Sequence, residues 1–349
     1  MLIEFGVFIL SFSAVLKKYQ NYFFLIGVLV LLFMAYKLGF DTISENLRKT
    51  GWWFVPIFGV WIAVYLFNAW SLNIIITDKA PESKKISIWR LFRLTISAYA
   101  INYMTPLSLG GEPYKALKLK NDLGAHKATS SVLLYVMMHY VSHFFFWLIS
   151  IPFFIFLILE VSGVLQWVLW AVFIACILLI LWGYSVFTKG VINTALTIAT
   201  RIPFFGRKIQ IYREKNEHHL VEMDKLISDL YTNRKKDFFA SLFVELVSRY
   251  ISCLEVYFMA IPLAFQLSFI QAYLIVSIAT LIANIFFFAP MQMGTREGGF
   301  VLATATLALP AGLGVYVGLG TRIRELFWIF VGVIITKIPF PQKQIPQSE

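Results

Sequence analysis

The chain of 349 residues is too hydrophobic for a water-soluble protein. Apolar residues make up 59% of it and charged residues 14%, and apolar stretches of membrane-spanning length recur along it. Backbone polar groups in lipid must bond within their own segment, so these stretches predict helices, and the short alternating strands of an outer-membrane barrel are missing. The net charge of +11 does not indicate nucleic acid as a partner, because basic residues of membrane proteins collect in cytoplasmic loops that face anionic lipid.

The apolar stretches predict about six full transmembrane helices. Their expected ranges are 21–38, 52–76, 128–159, 165–187, 238–265 and 311–336. Residues 1–19 precede them as an N-terminal interfacial segment, in which residues 1–16 form either an interfacial helix or the start of a longer first helix. A polar C-terminal tail follows at 339–349.

Two further apolar stretches are each interrupted by a proline and, four residues later, a glycine. The first, 86–120, breaks at Pro106 and Gly110, and basic residues flank it on both sides. We therefore expect it to enter and leave the membrane by the cytoplasmic face as a re-entrant hairpin. The alternative is one short span, which would leave a lysine cluster outside, against the positive-inside rule.

The second interrupted stretch, 267–309, breaks at Pro290 and Gly294. The charge bias of the loops predicts that this hairpin enters from the opposite face. The two membrane halves, 20–187 and 238–338, then share the order span, hairpin, span with opposite orientation. This is an inverted repeat, typical of secondary transporters, in which the site lies where the broken helices meet.

The segment 188–237 between the halves is the one long polar stretch, and we predict a basic cytoplasmic linker. Its apolar residues recur at helical spacing, which predicts an amphipathic helix lying on the inner membrane surface. The residues of this apolar face are Leu220, Met223, Ile227 and Leu230. The sequence thus predicts an all-α polytopic membrane protein with two re-entrant helical hairpins, in the bacterial cytoplasmic membrane, with both termini cytoplasmic.

Residues at the breaks form a candidate anion site. The free amides of a new helix N-terminus bind anions, and glycine lets the backbone approach a phosphate closely. Arginine adds bidentate phosphate contacts, whereas Glu112 and Glu297 would orient the cations or recognise a head-group amine. The alternative is a structural ion-pair network that locks the halves together. The candidate substrate-binding residues are Gly110, Gly111, Glu112, Lys115, His139, Gly294, Arg296, Glu297, Arg322 and Arg324.

Two residue pairs at i, i+4 spacing lie inside predicted spans. Glu245 and Arg249 are expected to form a structural ion pair on one helix face. His139 and His143 are expected to be cavity-lining or hydrogen-bonded core residues, with a metal box or a proton relay as the alternative. We predict no metal site and no cofactor, and the chain lacks the G-x-x-x-x-G-K-[ST] motif of ATP-driven pumps. An enzymatic role is not expected.

Two motifs, in this order, carry a resemblance. The first motif runs from Pro106 through Gly110-Gly-Glu-Pro-Tyr-Lys115 and is followed by Lys127-Ala-Thr-Ser-Ser-Val132. The second motif is Pro290-x3-Gly294-Thr-Arg-Glu-Gly, which is followed by Arg322-Ile-Arg-Glu-Leu326. Together they resemble the lysylphosphatidylglycerol synthase transmembrane family, which includes the flippase domain of the bacterial multiple peptide resistance factor, here without the synthetase domain. The resemblance covers residues 20–338. It implies a lipid translocase whose functional positions are Glu112, Lys115, Arg296, Glu297, Arg322 and Arg324.

The sequence departs from the family pattern at two places. Lys115 stands where an arginine is usual, and Tyr135 and Val136 replace charged residues often seen there. Aminoacylated phosphatidylglycerol is therefore one cargo among others, and hopanoid-related, polyprenyl-phosphate and glycolipid roles stay open.

The function predicted from these features is a flippase that moves an anionic-headed phospholipid between leaflets. Membrane lipids are the expected partners, and a homo-oligomer is left open. The alternatives are a small-solute secondary transporter and a non-transporting membrane partner of a lipid- or glycosyl-transferase. The geometric expectation is that the hairpin tips near Gly110 and Gly294 meet near mid-membrane, with Glu112 and Arg296 close by.

Overall fold

The computed structural model describes residues 40–77, 86–105, 110–157, 163–200, 217–286 and 292–338, together with residues 36, 210, 211 and 213. These residues form helices joined by short turns, with no strand among them, so the predicted all-helical class is confirmed. In chain order the helices are α1 (Phe40–Thr50), α2 (Phe54–Ile76), α3 (Ile88–Met104), α4 (Gly111–Leu123), α5 (Ala125–Leu157), α6 (Gly163–Lys189), α7 (Val191–Ala199), α8 (Glu217–Thr232), α9 (Lys235–Ala260), α10 (Phe269–Ile285), α11 (Thr295–Thr306) and α12 (Ala311–Lys337).

Four helical segments of the described chain are long and apolar enough to cross a membrane. They are Ser44–Ile76, Ala125–Phe156, Gln166–Gly183 and Lys235–Leu263, which confirms four of the predicted spans. The predicted first span, 21–38, lies outside the described residues apart from Tyr36. Helix α12 covers the predicted last span with 27 residues and carries three charged side chains, Arg322, Arg324 and Glu325, in its middle.

The first interrupted stretch folds as an antiparallel helical hairpin. At its base, Arg90 near the start of α3 donates two hydrogen bonds, of 2.9 and 2.5 Å, to Asp122 near the end of α4. At its tip, the backbone amide of Gly111 donates to Asn102 Oδ1 at 2.6 Å. A side chain at Gly111 would place its Cβ 2.3 Å from the carbonyl oxygen of Ala98, so only glycine allows this close return.

The break between α3 and α4 has a local cause. Thr105 precedes Pro106 in the sequence, and its backbone is extended (φ −109°, ψ 146°), as proline demands of the residue before it. Helix α3 therefore ends at Met104. The entry of this hairpin into the bilayer stays a prediction.

The second interrupted stretch also returns on itself. Gly299 of α11 lies against Ala279 of α10, whose Cα atom would be 2.8 Å from an added Cβ. Gly294 opens α11 with a positive φ of 76°, a conformation that favours glycine. Farther along, Gly314 of α12 packs on Val301 and Thr304 of α11, so α10, α11 and α12 form one compact group.

Helices α2 and α9 pack side by side in opposite directions. Three contacts follow one another along them: Trp61 with Glu255, Asn68 with Glu245, and Ser71 with Ser241. Arg234, just before α9, donates to the carbonyl groups of Ile74 and Thr77 at the end of α2. The base of the first hairpin follows this end of α2, and the second hairpin begins beyond the other end of α9.

Several other helix contacts have a counterpart in the opposite half, although the contact of α5 with α9 has none of similar extent. In this comparison α3, α4 and α5 of the first half correspond to α10, α11 and α12 of the second. The contact of α3 with α12 corresponds to that of α10 with α5, and the contact of α4 with α5 corresponds to that of α11 with α12. The contacts of α2 with α3 and α5 likewise correspond to those of α9 with α10 and α12. This pairing, around the antiparallel α2 and α9, has the form of an inverted repeat.

The predicted amphipathic helix is present as α8, but its apolar face has a different neighbour from the expected one. Met223 and Ile227 are buried in a core cluster with Met138, Ile192 and Phe238. We predicted that this face rests on the membrane surface; the structure instead buries it against α5, α7 and α9. The apolar face of α8 is therefore buried by other helices of the protein.

The antiparallel packing of α2 and α9 predicts a specific cross-link. The hydroxyl oxygens of Ser71 and Ser241 lie 2.8 Å apart, so Ser71→Cys with Ser241→Cys should form a disulfide on oxidation when Cys176 and Cys253 are replaced by alanine. Mass spectrometry of the digested protein detects the joined peptides. Ser71→Cys with Ser252→Cys is the control, because Ser252 lies about 16 Å farther along α9. Equal cross-linking of both pairs would contradict the fold.

Candidate functional site

The two hairpin tips meet at Glu325, a carboxylate of α12 that is 2% exposed. Tyr103, at the end of α3, donates a hydrogen bond of 2.6 Å to its Oε1 atom. Arg296, at the start of α11, forms an ion pair with the same oxygen. Ends of both hairpins are thus joined through one buried side chain. Glu112, which we expected beside Arg296, instead pairs with Lys115 on its own helix at 3.0 Å.

Arg322 fastens the second hairpin tip to α12. Its guanidinium donates to Glu297 at 2.5 Å, to Glu325 at 2.9 Å and to the carbonyl oxygen of Gln292 at 3.1 Å. Glu297 in turn accepts from the backbone amide of Gly294 at 2.8 Å and so caps the N-terminus of α11. Its carboxylate therefore holds both the helix start and the arginine.

Arg324 joins four helices. Its guanidinium donates to Glu255 of α9 at 2.8 and 3.1 Å and to the hydroxyl of Tyr99 on α3 at 3.1 Å. It also stacks over the ring of Trp61 on α2, 3.7 Å from the ring centroid. Trp61 donates to Glu255 as well, at 2.9 Å. The ion-pair network that we weighed against a phosphate site is therefore present, and a substrate role for Arg322 and Arg324 stays a prediction.

Lys115 is held inside the first hairpin and is 3% exposed. Besides its ion pair with Glu112, its ammonium group lies 4.3 Å from the ring centroid of Tyr135 on α5. Lys115 and Tyr135 are two of the three residues at which this sequence departs from the family pattern. They contact each other, so a cation–π contact joins α4 to α5.

Glu245 and Arg249 each bond to neighbouring helices, which corrects the predicted pair on one helix face. Glu245, fully buried, accepts two bonds from Asn68 at 3.1 and 3.2 Å and contacts His139 Nδ1 at 2.8 Å. Arg249 donates to Ser142 Oγ at 2.6 Å, to His143 Nε2 at 2.7 Å and to the carbonyl oxygen of His139 at 2.5 Å. The partners come from α2 and α5, and one-helix spacing could not identify them.

A cavity of about 250 Å³ lies beside these groups. Its walls come from α5, α10 and the second hairpin tip, and the lining residues are His139, Tyr140, His143, Thr280, Ala283, Asn284, Gln292 and Arg296. Arg296 has a side chain 13% exposed, and its Nε atom finds no hydrogen-bond partner in the part of the chain that the structure describes. Of the predicted substrate-binding residues, His139 and Arg296 line this cavity.

The polar belt around the tips contains as many carboxylates as cations. Its cations are Lys115, Arg249, Arg296, Arg322 and Arg324, and its carboxylates are Glu112, Glu245, Glu255, Glu297 and Glu325. We expected a basic cavity. The structure corrects this, because Arg296 is paired with Glu325, and Arg322 and Arg324 are enclosed by carboxylates.

Sequence reasoning overlooked several members of the belt. Glu255 lies in an apolar run and was visible as an intramembrane charge, which is a functional signal by itself. Tyr99 and Tyr103 are spaced by one helical turn just before the first break, a second signal. Trp61 and Asn68 carried no such signal, because single polar or aromatic residues are common in transmembrane helices.

These features define a class of protein. It is a polytopic helical membrane protein in which helical hairpins from two halves meet at a buried ionic site. The chain belongs to the family described as lysylphosphatidylglycerol synthase TM region, whose model matches residues 22–333, so the resemblance seen in the two motifs is confirmed. Comparison with curated proteins and with solved structures gave no match.

The enclosed position of Glu255 predicts a large loss of stability when its charge is removed. Glu255→Gln leaves Arg324 buried without its full counter-charge, which typically costs about 3–5 kcal/mol. Thermal unfolding in detergent should show a clearly lowered midpoint. Glu45→Gln is the matched control, because Glu45 pairs with Lys49 on the exposed surface of α1 and should leave the midpoint unchanged. Equal midpoints for the two variants would show that the Arg324 contacts do not stabilise the fold.

Proposed function

We propose that this protein moves lipids with an anionic head group between the leaflets of the cytoplasmic membrane. The observation that carries the proposal is the position of Arg296, which lines a cavity beside the hairpin tips and whose buried Nε atom has no hydrogen-bond partner among the described residues. Membership of the family, a membrane protein of the flippase type, supports the same class of function.

The cavity is large enough for a lipid head group but small for a drug-sized molecule. Its volume of about 250 Å³ is below the range of roughly 300–1,000 Å³ that encloses drug-sized ligands. The helices that line it also expose apolar side chains, such as Phe156 on α5 and Ile285 on α10. A lipid can therefore place its polar group among the hydrogen-bonding residues while its tails stay in the bilayer.

The ion pairs around Glu325 explain how Arg296 can bind a phosphate. Breaking a buried pair is expensive when it leaves one charge uncompensated. Glu325, however, also accepts from Arg322 and Tyr103, and Arg324 lies 3.8 Å away. When Arg296 turns to a phosphate, Glu325 keeps these other partners. The exchange of one anion for another therefore has a small electrostatic cost.

Substitution of Arg296 should slow lipid transfer. In phosphatidylcholine vesicles containing a little NBD-labelled phosphatidylglycerol, dithionite quenching reports how fast the probe leaves the inner leaflet. Loss of a hydrogen bond to a charged group costs about 1.5–3 kcal/mol, so Arg296→Ala should slow transfer roughly tenfold or more. Arg48→Ala removes an exposed arginine of α1 and should transfer at the wild-type rate.

A third variant separates binding from folding. Arg296→Lys keeps the positive charge beside Glu325 but loses the planar fork that suits phosphate, so it should keep the wild-type unfolding midpoint and still slow transfer. Wild-type rates in Arg296→Ala would overturn the assignment of the site. If the wild-type protein moves no labelled phosphatidylglycerol, the proposed function itself is wrong, and solute uptake or a non-transporting role replaces it.

A further inference from the structure

The cavity holds a second built site, formed by His139 and Glu245. Glu245 has no exposed surface, whereas the side chain of His139 is 38% exposed and lines the cavity. The two groups contact each other at 2.8 Å through His139 Nδ1. The pair therefore connects an open polar cavity to a carboxylate in the interior between α2, α5 and α9.

The hydrogen bonds of Glu245 indicate which nitrogen of His139 carries the proton. The side-chain amide of Asn68 donates to the carboxylate twice, which is the arrangement expected of an ionised group. A neutral His139 must then carry its proton on Nδ1 and donate it to Glu245. The lone pair of Nε2 is left to accept a second proton, and the resulting imidazolium would face an adjacent carboxylate.

His143 lies one turn away and lines the same cavity, but it cannot play this part. Arg249 donates to its Nε2 atom at 2.7 Å, and an arginine has no acceptor to offer. Nε2 of His143 must therefore stay unprotonated, and its proton sits on Nδ1. Adding a second proton would break the bond and place two cations in contact. The network thus distinguishes two histidines that the sequence presents as equivalent.

Charged and titratable groups from several helices surround His139. From α5 these are Tyr135 and His143, from α9 Glu245 and Arg249, from α4 Lys115 and from the second hairpin tip Arg296. The cations oppose a charge on His139, and Glu245 favours it. An anionic head group at Arg296 would add a negative charge to the same cavity, so it would favour protonation of His139. By linkage, a proton on His139 would strengthen binding of the anion by the same factor.

We propose that His139, supported by Glu245, binds one proton that travels with each anionic head group, so that a proton gradient drives the lipid. This inference rests on the proposed function and adds its energy source. The step transfers a proton from water in the cavity to Nε2 of His139 and returns it to water on the other side. No other bond forms or breaks.

The same vesicles test the coupling through the final distribution of the probe. With one proton per lipid, a gradient of about one pH unit should displace the leaflet ratio of NBD-labelled phosphatidylglycerol by up to about tenfold, and a protonophore should abolish the displacement. His139→Gln should bring the probe to the same leaflet ratio with and without the gradient. His126→Gln is the control, because His126 lies at the start of α5 and is not part of the cavity lining, so it should keep the displacement.

Three outcomes of this experiment would overturn the proposal: no displacement in the wild-type protein, full displacement in His139→Gln, or equal loss of displacement in His126→Gln. If wild-type vesicles move the probe but show no displacement, the proton site fails and the lipid function stands.

A second measurement tests the site without transport. In ¹⁵N-histidine NMR of the detergent-solubilised protein, a signal absent from His139→Gln should gain its second proton as the pH is lowered, while the signal absent from His143→Gln should keep an unprotonated Nε2. A His139 signal that keeps an unprotonated Nε2 down to the pH at which the protein unfolds would overturn the proposal even if no lipid movement can be detected.

Discussion

Burial of Glu325 is the constraint on which the rest of the structure depends. A carboxylate that is 2% exposed inside a helical bundle is stable only with cations and hydrogen-bond donors around it. Arg296, Arg322 and Tyr103 supply them from three different helices, two of which end at hairpin tips. The chain must therefore break at each tip so that a side chain near the break can reach mid-helix α12. Glycines at both breaks allow the close packing that this requires.

The two halves have corresponding helix pairs, but the side chains between the paired helices differ. Between α3 and α12 the space is closed by Tyr103 on Glu325, and Gly332 lies against the carbonyl oxygen of Ile96. Between α5 and α10, the corresponding pair, the cavity with His139 and Arg296 is open. In the described part of the chain, one of these helix pairs is therefore packed by side chains and the other borders a cavity. Polar groups are present at both helix pairs: Glu325 lies between α3 and α12, and His139 and Arg296 line the cavity beside α5 and α10.

The helices, the chain breaks and the buried charges were predictable from the sequence, whereas the contacts of these charges with other helices were not. Pro106 and the glycines at the breaks have local backbone effects, so the hairpins and their ends were readable from the chain. Arg296, Glu297 and Arg322 stood out because charges are rare in apolar runs. The partners of Glu245 were not predictable, because Asn68 and His139 come from helices far away in sequence, and one-helix spacing suggested Arg249 instead. The contact of Lys115 with Tyr135 likewise exists only once α4 lies on α5.

The central claim is that Arg296 receives an anionic lipid head group in the cavity while Glu325 keeps its other partners. The most direct measurement is a cryo-electron microscopy structure of the protein in nanodiscs that contain phosphatidylglycerol. We expect head-group density between Arg296 and His139, with the acyl chains passing beside α5 and α10. Arg322 and Tyr103 should still donate hydrogen bonds to Glu325. Head-group density only at the outer surface of the bundle, with the cavity between α5 and α10 filled by side chains, would contradict it.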